Sequence, residues 1–425
     1  MSDIPDELAA RQAALDLLGA ALGRRAGLDE AMGSARFGAL EPRGRAFARA
    51  LVLVVLRRLG PIDRALNAKL SRPPPQKVRD ILRLGVAQAF LMETPPFAAV
   101  ATSVDLAAVS KDTRPFKGLV NAVLRGLLRE PPELDDPDLL APEWLYARWR
   151  AAWGAEAARA TARLISAEPS TDVTPFSLEE AQAVAALLDG EVLAGGSVRT
   201  PLRGDVAGWP GFGDGRWWVQ DAAAAVPARL LGAAPGVSVL DMCAAPGGKT
   251  LQLAAAGAGV TALDRSAARL SRLQENLSRT GLKAELHAAD AAAWAGQAFD
   301  RVLLDAPCSA TGTFRRHPDV LWAVRPQDIV SLAAVQTRLL DAAALRVAPG
   351  GLIVYCVCSL EPEEGELQAD AFLARHPQMR LEPIHPGEGG APAAACDGQG
   401  RLRILPHQME GGCDGFFVAR FRRAA

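Results

Sequence analysis

The sequence predicts a multidomain protein: an all-α N-terminal domain, a small α+β connecting domain and a C-terminal doubly wound α/β domain. Three observations predict it. The 425 residues suffice for two or three domains, apolar residues recur at helical spacing in the first third of the chain, and short β-type runs alternate with longer helical runs after Trp217. With 49% hydrophobic and 22% charged residues, the composition excludes wholesale disorder and fibrous repeats.

The all-helical domain is predicted to span residues 1–132. Its runs of helical apolar period are separated by Gly- or Pro-bearing breaks, and they read LAARQAALDLLGAAL, RAFARALVLVVLRRL, VRDILRLGVAQAFLM and FKGLVNAVLRGLLRE. Residues 1–131 carry 20 Lys and Arg against 13 Asp and Glu, a net charge of +7, whereas the remainder carries −8. This asymmetry suggests a polyanion held by the first domain and modified by the last. A solvated charged face explains it equally well.

The connecting domain is predicted over residues 133–216, where a helix-like run precedes short apolar pieces broken by Gly and Pro. The last domain, 217–425, contains five strand-like runs: VSVLDMC, VTALD, AELHAAD, FDRVLLDAPC and GLIVYCVCSL. Helical runs separate them, which predicts a doubly wound parallel sheet. The tail has a Gly-rich turn before FFVARF, which predicts a closing antiparallel hairpin.

The cysteines and the N-terminus indicate the setting of the protein. All six cysteines lie in the second half without CxxC spacing, so neither a disulfide scaffold nor a metal site is expected. The first residues lack the basic flank and apolar core of a signal peptide, and residues 46–56 are too short to cross a bilayer. The sequence therefore predicts a cytoplasmic protein with no membrane association.

Acidic residues end the first three predicted strands, where a doubly wound sheet binds ligands. The run after Asp241 ends in Gly247-Gly248-Lys249-Thr250, but a Walker A loop would need Gly where Cys243 stands, so a nucleoside triphosphate is disfavoured. Asp264 follows Asp241 by 23 residues, a spacing suited to a ribose hydroxyl pair, and Asp290 ends the third run. Each acid alone is as readily a helix cap; together they favour a bound nucleoside.

Two cysteines end the fourth and fifth predicted strands. Cys308 follows Asp305, and Cys358 precedes a Pro- and Glu-rich segment. Because these strands are neighbours in the common doubly wound order, both thiols are expected to face one substrate atom, and a thiolate is a strong nucleophile. The alternative, a small buried hydrophobe, is preferred for Cys356, Cys396 and Cys413.

These motifs carry a resemblance to a known family. The set DMCAAPGGKT, LDRS, DAPCSATGTFRRHPD and YCVCSLEPEEGE closely resembles the RNA cytosine-C5 methyltransferases, as does the closing LRILPHQMEGGCDGFFVARF. FKGLVNAVLR is similar to the NusB-like RNA-binding domain of one bacterial branch, the ribosomal RNA small subunit methyltransferase B (Sun) proteins. The resemblance implies a NusB-like first domain and a Rossmann-like last domain that uses S-adenosylmethionine.

The resemblance also implies roles for individual residues. Cys358 would add to C6 of a cytosine, and Cys308 would help to remove the C5 proton and release the enzyme, in a loop that Pro307 orients. Asp305 would hydrogen-bond the base and lie at the methyl-donor end of the cofactor, Asp264 would bind the ribose and Asp290 would lie near the adenine. The remaining cofactor contacts would come from one loop, Cys243, Ala244, Ala245, Pro246, Gly247, Gly248 and Lys249.

The chain departs from the family pattern in three places. Val357 replaces Thr before the nucleophile, and Ala310 replaces Gly in the loop after Cys308. PSTDVTPF lacks the Arg-Val-Asn run of many relatives, which puts RNA contacts of the connecting domain in doubt. The basic FRRHPD segment, with Arg315, Arg316 and His317, is expected to contact RNA phosphates, the alternative being a surface loop.

The leading hypothesis is a monomeric enzyme that makes 5-methylcytosine in small-subunit (16S) ribosomal RNA, either naked or in a partly assembled subunit. One alternative is the same chemistry on transfer RNA or another RNA. Another is a non-catalytic NusB-like RNA-binding protein, against which the retained Cys358, Cys308 and Asp305 argue.

Overall fold

The computed structural model describes residues 6–24 and 27–425. The chain forms two compact units. One extends to Glu168 and also includes Arg316–Val324; the other comprises Pro169–Arg315 and Arg325–Ala425. The predicted domain boundaries near residues 132 and 216 stay predictions.

The first unit is helical, as predicted. Its helices up to Glu168 are α1 Asp6–Gly23, α2 Gly27–Met32, α3 Ala35–Gly38, α4 Pro42–Arg57, α5 Leu59–Lys69, α6 Gln76–Leu91, α7 Pro96–Val109, α8 Lys117–Arg129, α9 Glu143–Trp153 and α10 Ala155–Arg163. In α8 the buried residues recur at helical spacing, and they are Val120, Val123, Leu124 and Leu127. Such apolar faces form one shared hydrophobic core.

The second unit begins with a small antiparallel sheet. Its elements are β1 Thr171–Pro175, α11 Leu178–Leu187, β2 Glu191–Val192, β3 Val198–Thr200 and β4 Trp217–Val219. The strand order is β2-β3-β1-β4, and α11 packs against it over an apolar core. Within the sheet, Arg199 forms a buried ion pair with Asp172 and also donates to the Gly412 carbonyl. This part has the predicted α+β character.

The rest of the second unit is a doubly wound domain. Its elements up to the fifth parallel strand are α12 Ala222–Arg229, β5 Ser238–Met242, α13 Gly248–Ala255, β6 Gly259–Asp264, α14 Ala267–Thr280, β7 Glu285–Ala288, β8 Phe299–Asp305, α15 Asp319–Ala323, which clusters with the first unit, α16 Pro326–Arg346 and β9 Val347–Val357. All five predicted strands form, in the parallel order β7-β6-β5-β8-β9. β8 and β9 are neighbours as predicted, with Asp305 opposite Cys356.

The C-terminal segment completes the large sheet with antiparallel strands. It contains α17 Glu366–Arg375, β10 Met379–Leu381, β11 Leu402–Ile404 and β12 Phe416–Arg423. β12 pairs with β9, and β11 pairs antiparallel with β12. The predicted closing hairpin is therefore confirmed. In the part of the chain that the structure describes, no helix is long and apolar enough to cross a membrane.

Candidate active site

The loop after β5 makes a tight turn into α13. Gly247 has a φ of 112°, and a Cβ added there would lie 2.3 Å from Cδ1 of Leu273. Only glycine fits such a position. Cys243 has a φ of 71°, a left-handed conformation uncommon outside glycine and often found at functional sites. The turn brings the first amide groups of α13 to the carboxyl edge of the sheet, where they favour a ligand.

A pocket of about 360 Å³ opens beside this loop. Its lining includes three predicted cofactor residues, Cys243, Asp264 and Asp290, together with Pro307 from the loop after β8. The volume lies in the range of small-molecule sites. The structure thus brings together, at the ends of β5, β6 and β7, the residues that the sequence assigned to one nucleoside.

Both acids of this pocket are oriented by backbone amides. Asp264 accepts hydrogen bonds from the N–H groups of Ala245 and Ser266 at 3.2 and 2.9 Å. Asp290, which is exposed, accepts one from Ala292 at 3.0 Å. Asp264 and Asp290 can therefore accept these backbone hydrogen bonds and still accept a hydrogen bond from a ligand, because a carboxylate oxygen has more than one lone pair.

Asp241, the first of the three strand-end acids, is buried near the charges of this site. Its Oδ2 accepts a hydrogen bond from the Thr250 hydroxyl at 2.6 Å, whereas its Oδ1 has no partner among the described residues. Burial raises the pKa of Asp241 to about 7. Because Asp241 is 1% exposed and is not among the residues that line the pocket, its contact with Thr250 holds the first turn of α13 in place.

Lys249, in the first turn of α13, forms an ion pair with Asp305, the last residue of β8. Lys249 Nζ lies 2.6 Å from Asp305 Oδ2, and the Cys356 thiol lies 3.5 Å from Asp305 Oδ1. Burial alone would lower the pKa of Lys249, but the Asp305 carboxylate raises it above its usual range. Lys249 therefore stays positively charged and holds the Asp305 carboxylate in place. Cys356 is a buried core residue whose thiol also donates to this carboxylate.

The two predicted catalytic thiols are in contact. The Sγ atoms of Cys308 and Cys358 lie 3.5 Å apart, because the pairing of β8 with β9 places the following loops side by side. The hydrogen bond with Cys358, and then burial, raise the pKa of Cys308 well above its usual range. Cys308 therefore keeps its proton more readily than an ordinary thiol, and either sulfur can donate the hydrogen bond between the two. Of the other cysteines, Cys413 is buried and Cys396 is half-buried, both outside this contact.

A buried carboxylate, Glu364, joins the two cysteine loops. Its Oε1 accepts the Ser309 N–H at 2.8 Å, and its Oε2 accepts the Ser359 hydroxyl at 2.6 Å and the Ser309 hydroxyl. Gln336 donates to Oε1 at 3.1 Å and to the Pro307 carbonyl at 3.0 Å. Since Ser309 follows Cys308 and Ser359 follows Cys358, this carboxylate fixes the spacing of the thiols. Glu364 was not among the residues predicted for the site.

Replacement of this carboxylate is expected to loosen the loops. Glu364→Gln puts an amide where several donors converge, so we expect the free energy of unfolding to fall by about 2–3 kcal/mol, the size of hydrogen bonds to a charged group. We also expect Cys308 and Cys358 to react faster with a thiol reagent. Chemical denaturation and thiol labelling measure both. Glu363→Gln is the matched control, because it makes the same charge change on a half-buried side chain; equal effects of the two variants would contradict the assignment.

The loop after Cys308 shows why the family pattern has Gly at position 310, and it corrects the expected role of Arg315. Ala310 has a φ of 60°, the conformation in which the family pattern has Gly. Arg315 is buried: it donates to the Gly411 carbonyl at 2.8 Å and lies 3.5 Å from Asp221. The expected phosphate contact of Arg315 is therefore wrong, because its guanidinium binds the C-terminal loop. Arg316 and His317 cluster with the first unit.

The chain resembles known proteins over its whole length. The family described as 16S rRNA methyltransferase RsmB/F matches residues 228–422, and the NusB family matches residues 8–129. The ribosomal RNA small subunit methyltransferase B of Xanthomonas campestris pv. campestris is 37% identical over 98% of both chains. That of Xylella fastidiosa strain 9a5c is 39% identical over 89% of this chain and 91% of its own.

Solved structures show the same fold. The crystal structure of PH0851 superposes with a TM-score of 0.78 at 23% identity and covers 99% of both chains. A methyltransferase homolog protein from Pyrococcus horikoshii, at 26% identity, has a TM-score of 0.54 over 70% of this chain and 98% of its own.

Fold and site together define the class of protein: an RNA methyltransferase that uses S-adenosylmethionine, with a NusB domain and a Rossmann-like catalytic domain. The chain belongs to the ribosomal RNA small subunit methyltransferase B family. The family resemblance, the fold class and the cofactor expected from the sequence are confirmed.

Proposed function

We propose that this protein methylates C5 of a cytosine in small-subunit ribosomal RNA through a covalent adduct with Cys358. The observation that carries the proposal is the contact of 3.5 Å between the Sγ atoms of Cys358 and Cys308. One thiol of such a pair can serve as nucleophile while the other handles a proton. C5 of cytosine is a poor nucleophile, and addition of sulfur at C6 makes it electron-rich.

The proposed cofactor site is the pocket lined by Cys243, Asp264, Asp290 and Pro307, which we call the pocket beside α13. The loop Cys243–Lys249 would hold S-adenosylmethionine, with Asp264 on the ribose and Asp290 near the adenine. Asp305, fixed by Lys249 at 2.6 Å, would lie at the donor end and hydrogen-bond the target base. When bound, S-adenosylmethionine supplies an electrophilic methyl group. The target cytosine has to leave its stack, or be single-stranded, to enter this site.

The protonation of the two thiols assigns them different roles, nucleophile for Cys358 and proton acceptor for Cys308. The raised pKa of Cys308 keeps its thiol protonated at rest, so Cys358 is the sulfur that adds to C6, and the proton of Cys358 leaves to solvent as that bond forms. Once Cys358 is bonded to C6, its sulfur is a weak acceptor, and the largest cause of the raised pKa of Cys308 disappears. Cys308 can then release its proton to solvent, accept the C5 proton, and allow the bond between Cys358 and C6 to break.

The substrate is tested with separate RNA pools. Purified protein is incubated with radiolabelled S-adenosylmethionine and either unmodified 16S ribosomal RNA, assembly intermediates of the small subunit or transfer RNA, followed by bisulfite sequencing. We expect label at one cytosine of the 16S RNA. Label in transfer RNA alone would move the substrate but keep the chemistry, and cofactor binding without label in any pool would favour a non-catalytic RNA-binding protein.

A further inference from the structure

A second cavity, of about 560 Å³, lies within the second unit away from the candidate active site. Its walls come from the end of β1, the turn Ala194–Gly196, the end of α12 and the loop Gly387–Gly390. None of its lining residues lines the pocket beside α13. We call it the Arg229 cavity, after the residue at its wall.

The charge of the Arg229 cavity is unbalanced. Arg229 is the only charged residue among the described residues that line it. The guanidinium donates to the Ser197 hydroxyl at 2.8 Å and to the Gly389 carbonyl at 3.3 Å, and the described residues give it no carboxylate partner. Burial lowers the pKa of Arg229 to about 10, which still leaves it charged at neutral pH. A partly buried cation with spare N–H donors and no counter-charge attracts an anion.

The remaining wall is largely apolar and aromatic. Phe176 is half-buried and packs edge-to-face on Trp218, with ring centroids 5.9 Å apart. Aromatic faces stack with nucleobases without regard to sequence. Gly195 brings the backbone close to the cation, because a Cβ added there would lie 2.5 Å from Arg229 Nη1. The cavity therefore combines one positive charge, an aromatic surface and room for a small ligand.

We propose that the Arg229 cavity binds a nucleotide, with its phosphate on Arg229 and its base against Phe176. The phosphate is a singly charged diester in an RNA strand and a monoester with up to two charges in a free mononucleotide, and either form supplies the anion that Arg229 lacks. This chemistry is shared by a residue of an RNA strand and by a free nucleotide. The proposal does not depend on C5 methylation, because none of the lining residues belongs to the candidate active site.

The test is equilibrium binding to the full chain with the cofactor pocket saturated by S-adenosylhomocysteine. The probes are uridine 5′-monophosphate and a short oligouridylate, titrated by calorimetry. We expect Arg229→Gln to weaken binding at least about tenfold, since it removes a charged donor. We expect Phe176→Leu to weaken binding severalfold, since it removes the ring that the base contacts. Arg272→Gln, the same charge change on an exposed residue of α14, is expected to bind like the wild type.

The outcomes separate the two ligand sources. Binding of the mononucleotide with these variant effects assigns a free nucleotide, and binding of the oligouridylate alone assigns a residue of an RNA strand. Equal affinities of wild type, Arg229→Gln and Phe176→Leu for both probes, or no binding of either probe, would overturn the proposal. If Arg229→Gln does not fold, Phe176→Leu decides the question alone.

Discussion

Cys358→Ala is expected to lower the rate of RNA methylation by at least about 10³-fold, as loss of a catalytic nucleophile does in other enzymes. The affinity for S-adenosylmethionine should stay within about twofold, because Cys358 is not among the residues that line the pocket beside α13. Single-turnover methylation of ribosomal RNA and calorimetric titration of S-adenosylhomocysteine measure the two quantities separately.

The matched control for this variant is Cys396→Ala. Cys396 is another half-buried cysteine of the same unit, and its thiol donates to the Ile384 carbonyl at 3.1 Å. We expect normal methylation from it. Retention of activity in Cys358→Ala would refute the assignment of the nucleophile.

Cys308→Ala is expected to accumulate a covalent complex with RNA while multiple turnover falls by at least about 10²-fold, the usual size of a lost proton transfer. Addition of Cys358 to C6 does not need Cys308, whereas removal of the C5 proton does. The complex should survive denaturant, contain one RNA per protein, and be visible as a retarded band in a denaturing gel.

Two comparisons make this result specific. Cys308→Ala/Cys358→Ala should give no retarded band, because the bonding sulfur is gone, and Cys413→Ala should behave like the wild type apart from stability. A Cys308→Ala protein that turns over at the normal rate without a trapped complex would contradict the two-thiol scheme.

The five parallel strands could be predicted because each apolar run is short and ends in a polar residue, and the pairing of β8 with β9 could be predicted from the common doubly wound order. The apolar runs do not indicate the helices α5 and α7, since LGPIDRALNAK contains Gly and Pro near its start and the Pro95-Pro96 pair resembles a break. Pro96 is in fact the first residue of α7, where proline is favoured because its missing N–H would have no helical partner.

The individual acids and thiols of the site could be predicted from their positions after strands, but their connections could not. Glu364 lies in PEEGE, a segment that resembles a solvated surface, yet it is fully buried by hydrogen bonds from two loops distant in sequence. For Arg315 the basic segment beside a cleft predicted an exposed side chain in contact with phosphate, whereas the side chain is buried. Only packing shows that its partners are Asp221 and the Gly411 carbonyl.

Bond formation between Cys358 and the target base is tested most directly with ribosomal RNA that contains 5-fluorocytidine. Fluorine replaces the hydrogen that must leave C5, so the adduct cannot resolve after methyl transfer. Wild-type protein is incubated with this RNA and S-adenosylmethionine, digested, and analysed by mass spectrometry with fragmentation. The account predicts a methylated fluorocytidine on Cys358. Attachment to Cys308, or no attachment despite methylation of normal RNA, would contradict it.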